Sequence, residues 1–70
     1  MNELDYHWLR LNERMMYQSI RTTAEEANRI YAIYNALTGQ NKKPNGCGSC
    51  MRNTVGVVRL AYEKQKRTNV

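Results

Sequence analysis

The 70-residue sequence contains no phenylalanine, and its large apolar side chains are one tryptophan, five tyrosines, four methionines and a few leucines, isoleucines and valines. A domain of this length buries only about 60% of the surface that its unfolded chain exposes. The conformational entropy lost on folding, roughly 1 to 2 kcal/mol per residue, leaves such a domain little margin of stability. We therefore expect one domain over residues 1–70 with a thin core, which a second subunit or a metal can stabilise.

Long hydrophobic runs are also missing, since no apolar stretch approaches the roughly 20 residues that span a bilayer. The first residues, Met-Asn-Glu-Leu-Asp, are acidic and polar and do not resemble a signal peptide. The expectation is a cytoplasmic protein that is not secreted and has no membrane partner. The cysteine content agrees with a reducing compartment, because two cysteines three positions apart do not form a disulfide framework.

Acidic residues are scarce in the second half of the chain. Residues 1–39 contain four basic and five acidic residues, a net charge of −1. Residues 40–70 contain seven basic residues and only Glu63 on the acidic side, a net charge of +6. This asymmetry favours an anionic partner for the carboxyl-terminal half.

The first helix is predicted from Asn2, which stands at N-cap spacing before Asp5. Its apolar residues recur at helical steps: Leu4, Trp8, Leu11 and Met15. A second apolar stripe beside the first contains Leu9, Met16 and Ile20. Two stripes indicate either a helix between two neighbours or a surface for self-association. The protein-interaction residues predicted on this basis are Trp8, Leu9, Met16 and Ile20.

The second helix is predicted after two overlapping capping boxes, Thr22 with Glu25 and Thr23 with Glu26. Its expected buried face contains Ala27, Ile30, Tyr31, Tyr34 and Leu37. Gly39 is expected to end the helix in a left-handed conformation. A turn at Pro44-Asn45-Gly46 then follows.

The third helix is predicted from about Ser49 to Lys66, with a buried face of Met51, Val55, Val58 and Tyr62. Residues 54–58 are β-branched enough for a strand, but strict alternation fails and nothing nearby could pair with them. The predicted fold is therefore all-α: a small three-helix bundle with a Gly/Pro/Lys-rich CxxC loop before the third helix.

The CxxC pair, Cys47 and Cys50, has the spacing of two thiolate ligands of a tetrahedral zinc. His7 is the only histidine, so a closed zinc site would need a carboxylate or a second copy of the motif from another protomer. A redox pair at a helix start is a further alternative. The pattern favours a third interpretation, in which both cysteines are mostly buried and pack the start of the helix with no cofactor.

The basic residues that could follow a phosphate backbone or an acidic protein surface are Lys42, Lys43, Arg52, Arg59 and Lys66. The last three share one side of the predicted third helix, at steps of seven. An ordinary solvated face is the alternative. The connection before this helix is about ten residues long, which disfavours a helix-turn-helix reader of DNA.

Catalytic motifs are not recognisable in the sequence. His7 has no serine or cysteine at a spacing typical of a nucleophile and its base. Tyr31 and Tyr34 are expected to be core residues and not base-stacking platforms. Phosphate loops and paired-carboxylate clefts do not occur either. The prediction is a protein without enzymatic activity.

The segment Ile33-Tyr34-Asn35-Ala36-Leu37-Thr38-Gly39, a lysine-rich gap, and Cys47-Gly48-Ser49-Cys50-Met51-Arg52 resemble small helical CxxC proteins encoded by tailed bacteriophages. The resemblance covers about residues 30–62 and implies a virion component or a small host-interaction or regulatory factor, in the host cytoplasm or the virion. The first functional hypothesis is a structural or assembly component that associates with other protein subunits, as a homo-oligomer or larger assembly. The alternatives are a nucleic-acid-associated regulator and a zinc-stapled dimer.

Overall fold

The protein forms four helices in the residues that its structure, a computed structural model, describes, which are 1–18, 22–44 and 48–68. The helices are α1 (Glu3–Leu11), α2 (Glu13–Tyr17), α3 (Ala24–Thr38) and α4 (Gly48–Thr68). No strand occurs within these residues. The all-α prediction is confirmed, and the prediction of only three helices is wrong.

The extra helix arises from a break at Asn12. The Asn2 side chain accepts a hydrogen bond from the Asp5 N–H at 2.8 Å, so α1 begins where the capping pattern predicts. At Asn12 the backbone N–H is shared between the carbonyls of Trp8 and Leu9, and the side-chain amide donates to the Trp8 carbonyl at 2.8 Å. Shared hydrogen bonds of this kind are common at helix ends. Asparagine is also more favourable at a helix end than in a helix interior. The single first helix expected from the apolar stripes therefore divides into α1 and α2.

Both ends of α3 follow the sequence signals. Of the two predicted capping boxes, the Thr23 pair forms: the Thr23 hydroxyl accepts from the Glu26 N–H at 3.2 Å, and the Glu26 carboxylate accepts from the Thr23 N–H at 2.8 Å. Gly39 has a φ of 72° and donates its N–H to the Asn35 carbonyl at 2.9 Å. Only glycine adopts this conformation without strain, so the chain turns out of α3 at this position.

Helix α4 extends beyond its predicted limits, from Gly48 to Thr68, and includes the segment considered as a strand. Cys50 lies in the first turn of the helix, which agrees with a predicted start at about Ser49. The predicted CxxC loop before the third helix is not confirmed, because the helix already includes this cysteine. Cys47 and most of the predicted turn, Asn45 and Gly46, lie outside the described residues.

The core lies where α1, α2 and α3 pack against α4. Its buried members are Leu9, Met15, Met16, Ile30, Ile33, Tyr34, Val58 and Tyr62. The predicted inner face of α3 is buried at Ile30, Tyr31 and Tyr34 and half-buried at Ala27 and Leu37. The apolar pattern missed Ile33. It also missed Thr54, whose hydroxyl is satisfied by the Cys50 carbonyl at 2.8 Å.

The structure divides the first apolar stripe and buries the described members of the second. Leu9 and Met16 are 0% and 3% exposed, so they do not offer the contact surface predicted for them. Leu4 and Leu11 are instead 76% and 72% exposed. Leu9 stands on roughly the opposite side of α1 from Leu4 and Leu11, so burial of Leu9 turns both of them outward. The break at Asn12 lets Met15, which continues the Leu4 and Leu11 period, enter the core from α2.

Trp8 and Ile20 complete the predicted interaction set. Trp8 is half-buried against the core, with the Arg29 guanidinium 5.6 Å from its ring centroid. Arg29 also pairs with Asp5 at 3.1 Å, which ties α3 to α1. Ile20 lies outside the described residues.

Among the described residues, none of the helices combines the length and the apolar character needed to span a membrane.

Candidate functional site

A cleft of about 440 Å³ opens between α3, the segment after it and the first half of α4. It is lined by Tyr31, Tyr34, Lys42, Lys43, Cys50, Asn53, Thr54 and Val57. Two of these residues are basic and none is acidic. The volume lies within the range of roughly 300 to 1,000 Å³ that is typical of small-molecule sites.

The segment that carries the two lysines is held against α3 by Asn35. The Asn35 side-chain amide donates to the Lys42 carbonyl at 2.8 Å, and its oxygen accepts from the Lys42 N–H at 3.0 Å. The turn at Gly39 brings the chain back into reach of this amide. The Lys42 ammonium then lies 5.6 Å from the Tyr34 ring centroid, within the range of a cation–π interaction. The cleft is therefore organised by backbone contacts as well as by side chains.

Tyr31 and Tyr34 belong both to the interior and to the wall of the cleft. They are 4% and 8% exposed, so the expectation that they are core residues and not open stacking platforms is confirmed. Neither hydroxyl has a hydrogen-bond partner in the described part of the chain, although both side chains line the cleft. Among the described residues only Arg29 Nε is a fully buried side-chain N or O atom without a hydrogen-bond partner. The two hydroxyls therefore reach the surface of the cleft, where they can bond to water or to a ligand.

Two of the five predicted basic residues contact α2 and not the cleft. The Arg59 guanidinium donates to the Met16 carbonyl at 3.4 Å and lies 5.7 Å from the Tyr17 ring centroid. The Lys66 ammonium is 3.5 Å from a Glu13 carboxylate oxygen. The sequence predicts one basic set, and the structure separates it into a cleft pair and an α2-facing pair. Arg52, on the exposed surface of α4, belongs to neither.

The α2-facing side also contains two perturbed tyrosines. Burial, together with a hydrogen bond of 3.0 Å to Glu13, raises the pKa of Tyr62 to about 12. Desolvation and a hydrogen bond of 2.6 Å to Glu63 raise the pKa of Tyr17 to about 12. In both cases loss of the phenol proton would place two negative oxygens together. These tyrosines are neutral donors that connect α2 with α4.

The structure tests the cysteine predictions only at Cys50. Cys50 is exposed, so it is not the mostly buried packing residue expected at the helix start. Within residues 1–18, 22–44 and 48–68, no three side chains of histidine, cysteine, aspartate or glutamate form a metal-binding group. His7 is exposed on α1. Cys47 lies outside the described residues, so the shared zinc site and the redox pair remain predictions.

The sequence identified the two lysines of the cleft but not the residues that organise them. Asn35, Asn53 and the cleft itself were not predicted. One signal was present, since an asparagine four residues before a left-handed glycine can contact the chain as it turns back.

No family model, no curated protein and no solved structure matches the chain.

Proposed function

We propose that the protein is a non-catalytic helical interaction protein that assembles with further copies of itself. The observation that carries this proposal is the outer face of α1, where Leu4 and Leu11 are 76% and 72% exposed. The core uses few large apolar side chains, so exposure of two leucines on one short helix calls for a partner that covers them.

The spacing of these leucines favours a second helix as the covering element. Residues seven apart stand on the same side of a helix, about 10 Å apart along its axis. A repeat of this length is typical of the seam between paired helices. Helix α4 adds a further uncovered leucine, Leu60, which is 62% exposed. Exposed leucines on two helices support an assembly of several copies.

The resemblance of residues 30–62 to small phage proteins supports a role as a structural or assembly component of a phage particle or of another complex. A component of this kind acts by position and contact.

Sedimentation velocity over a range of micromolar concentrations tests the assembly. The wild type should sediment as an oligomer, and Leu4→Glu with Leu11→Glu should sediment as a monomer with unchanged helicity. The matched control is Asn28→Glu with Ala32→Glu, two exposed positions of α3 that receive the same charge. A monomeric wild type at all concentrations, or equal dissociation of the control, overturns the proposal.

A nucleic-acid-associated function is the second candidate. The specific observation is that Lys42, Lys43 and Arg52 are exposed and make no ion pair with any described carboxylate. Each phosphate contact contributes about one unit to the slope of log affinity against log salt. Neutralising these three residues should flatten that slope for an oligonucleotide, and absence of binding by the wild type at moderate salt removes this candidate.

A further inference from the structure

We propose that the cleft between α3 and α4 binds a small phosphate monoester that carries an apolar or aromatic group. This inference does not depend on the assembly proposed above, because Leu4 and Leu11 lie on a different helix from the residues that line the cleft.

The charge of the cleft suits a phosphate monoester. Such a group carries about −1.5 to −2 charges at pH 7. Lys42 and Lys43 supply two positive charges, and neither is paired with a carboxylate in the described residues. The first turn of α4, which contributes Cys50 to the cleft, contains no acidic residue to oppose an anion there.

The hydrogen-bonding groups of the cleft provide the independent second argument. Tyr31 and Tyr34 are more than nine-tenths buried, line the cleft and have no hydrogen-bond partner for their hydroxyls in the described part of the chain. Neither hydroxyl oxygen is fully buried, because Arg29 Nε is the one buried side-chain N or O atom without a partner in the described part of the chain. Both hydroxyls can therefore donate to a ligand oxygen placed in the cleft. A phosphate group offers three acceptor oxygens. The Asn53 amide is a further donor on the opposite wall.

The size and the walls of the cleft indicate an organic ligand and not inorganic phosphate. The cavity of about 440 Å³ is much larger than one phosphate group, and Val57, 39% exposed, forms part of its wall together with the two tyrosine side chains. Apolar ligand surface placed against these side chains leaves water at a gain proportional to its area. The phosphate would then lie near the lysines and the apolar group near Val57.

The experiment is a calorimetric titration of the full chain with phenyl phosphate, with inorganic phosphate and phenol as the two half-ligands. Phenyl phosphate should bind about tenfold more tightly than inorganic phosphate, because only the ester also buries a ring. Phenol alone should show no saturable binding. Equal affinity for phenyl phosphate and inorganic phosphate overturns the proposal of an organic ligand.

Charge variants locate the site. Lys42→Gln with Lys43→Gln should lower the affinity for phenyl phosphate about a hundredfold, because each charge-assisted contact contributes about tenfold. The matched control, Lys64→Gln with Arg67→Gln, removes the same charge from exposed positions of α4. Lys64 lies about 20 Å along the helix from Cys50, so the control should bind as the wild type does.

Tyr31→Phe tests the phenol itself, since it keeps the ring and removes the hydroxyl. An affinity about tenfold lower with unchanged helicity supports a direct contact. Amide chemical-shift mapping of the wild type gives a readout that needs no variant: phenyl phosphate should shift Lys42, Lys43 and Asn53, and leave His7 unchanged. Absence of binding, equal losses in both lysine variants, or shifts centred elsewhere would overturn the proposal. Binding of an oligonucleotide without binding of phenyl phosphate would overturn it too.

Discussion

The positive side chains on the two sides of α4 make different contacts. On the α2-facing side, Arg59 and Lys66 contact the Met16 carbonyl and the Glu13 carboxylate of the neighbouring helix. On the cleft side, Lys42 and Lys43 have no carboxylate partner in the described residues. One side therefore pairs its cations with oxygen atoms of the fold, whereas the cleft side leaves its lysines exposed, with the Lys42 ammonium near the Tyr34 ring.

An excess of positive charge in the sequence therefore does not by itself identify a binding surface. Arg59 and Lys66 contribute to the net charge of +5 as much as the cleft lysines do. Their side chains, however, bind residues of α2 and connect that helix to α4. Tyr62 and Tyr17 reinforce the same junction through Glu13 and Glu63. A partner that recognises the uncommitted cations is therefore expected on the cleft side.

The largest expected effect comes from removing Tyr62, which is fully buried and packs on the Tyr6 ring at 5.4 Å between centroids. Tyr62→Ala should lower the free energy of unfolding by about 3 to 5 kcal/mol, as aromatic truncations in a core do. On the cleft side, Val57→Ala should cost less than about 1 kcal/mol, because Val57 is exposed and alanine favours the helix. Urea unfolding measures the free energy of unfolding of both variants. Equal losses would contradict the view that the α2-facing side contributes more to stability than the cleft side.

Alkaline pH should weaken the α2-facing side selectively. The folded pKa of Tyr62, about 12, lies above the ordinary value of 10, so the native state retains a proton that the unfolded chain releases. The resulting stabilisation is complete below pH 10 and is lost as the pH rises from 10 to 12. For a shift of this size the loss is roughly 2 to 3 kcal/mol.

Urea unfolding between pH 9 and pH 11.5 measures this dependence. Tyr62→Phe should make this dependence shallower and leave the part contributed by Tyr17, whose pKa is also raised to about 12. Tyr31→Phe, on the cleft side, should leave the dependence as in the wild type. The interpretation of the Tyr62 contacts is wrong if the wild type keeps its full stability through this range.

A smaller effect is expected at Gly56, in the middle of α4. A Cβ added there would meet no atom of another element within 4 Å, so the glycine is not needed to let another backbone approach α4 closely. Gly56→Ala should raise the free energy of unfolding by about 1 kcal/mol through helix propensity, without changing either side of α4. Gly39→Ala is the contrasting variant, since its φ of 72° should make the same substitution destabilising. Thermal unfolding would contradict this view if the two substitutions shifted stability in the same direction.

Local signals in the sequence predicted much of the helical framework. The cap at Asn2, the Thr23 and Glu26 capping box and the left-handed Gly39 each depend on neighbouring residues, and all three are confirmed. The break at Asn12 was not predicted, because Leu4, Leu11 and Met15 continue a helical period across it. Periodicity identifies residues on one side of a helix, but not which side faces the core.

The candidate site was less predictable than the helices. Lys42 and Lys43 were identified by charge, but their separation from Arg59 and Lys66 depends on how α2 packs against α4. The contacts of Asn35 with Lys42 are local, and an asparagine four residues before Gly39 is a signal for them. The cleft, by contrast, forms only when α3 and α4 come together, and no spacing in the sequence encodes it.

The most direct test measures urea unfolding of three proteins with and without phenyl phosphate: the wild type, Lys42→Gln with Lys43→Gln, and Arg59→Gln with Lys66→Gln. A ligand at about 100 times its dissociation constant stabilises a folded protein by about 2.7 kcal/mol. The wild type and the Arg59/Lys66 variant should both gain stability from the ligand, although the latter starts roughly 1 kcal/mol lower. At the same ligand concentration the Lys42/Lys43 variant, whose affinity should be about a hundredfold lower, should start near wild-type stability and gain only about 0.4 kcal/mol. The opposite pattern, with ligand stabilisation lost in the Arg59/Lys66 variant and retained in the Lys42/Lys43 variant, would contradict the account.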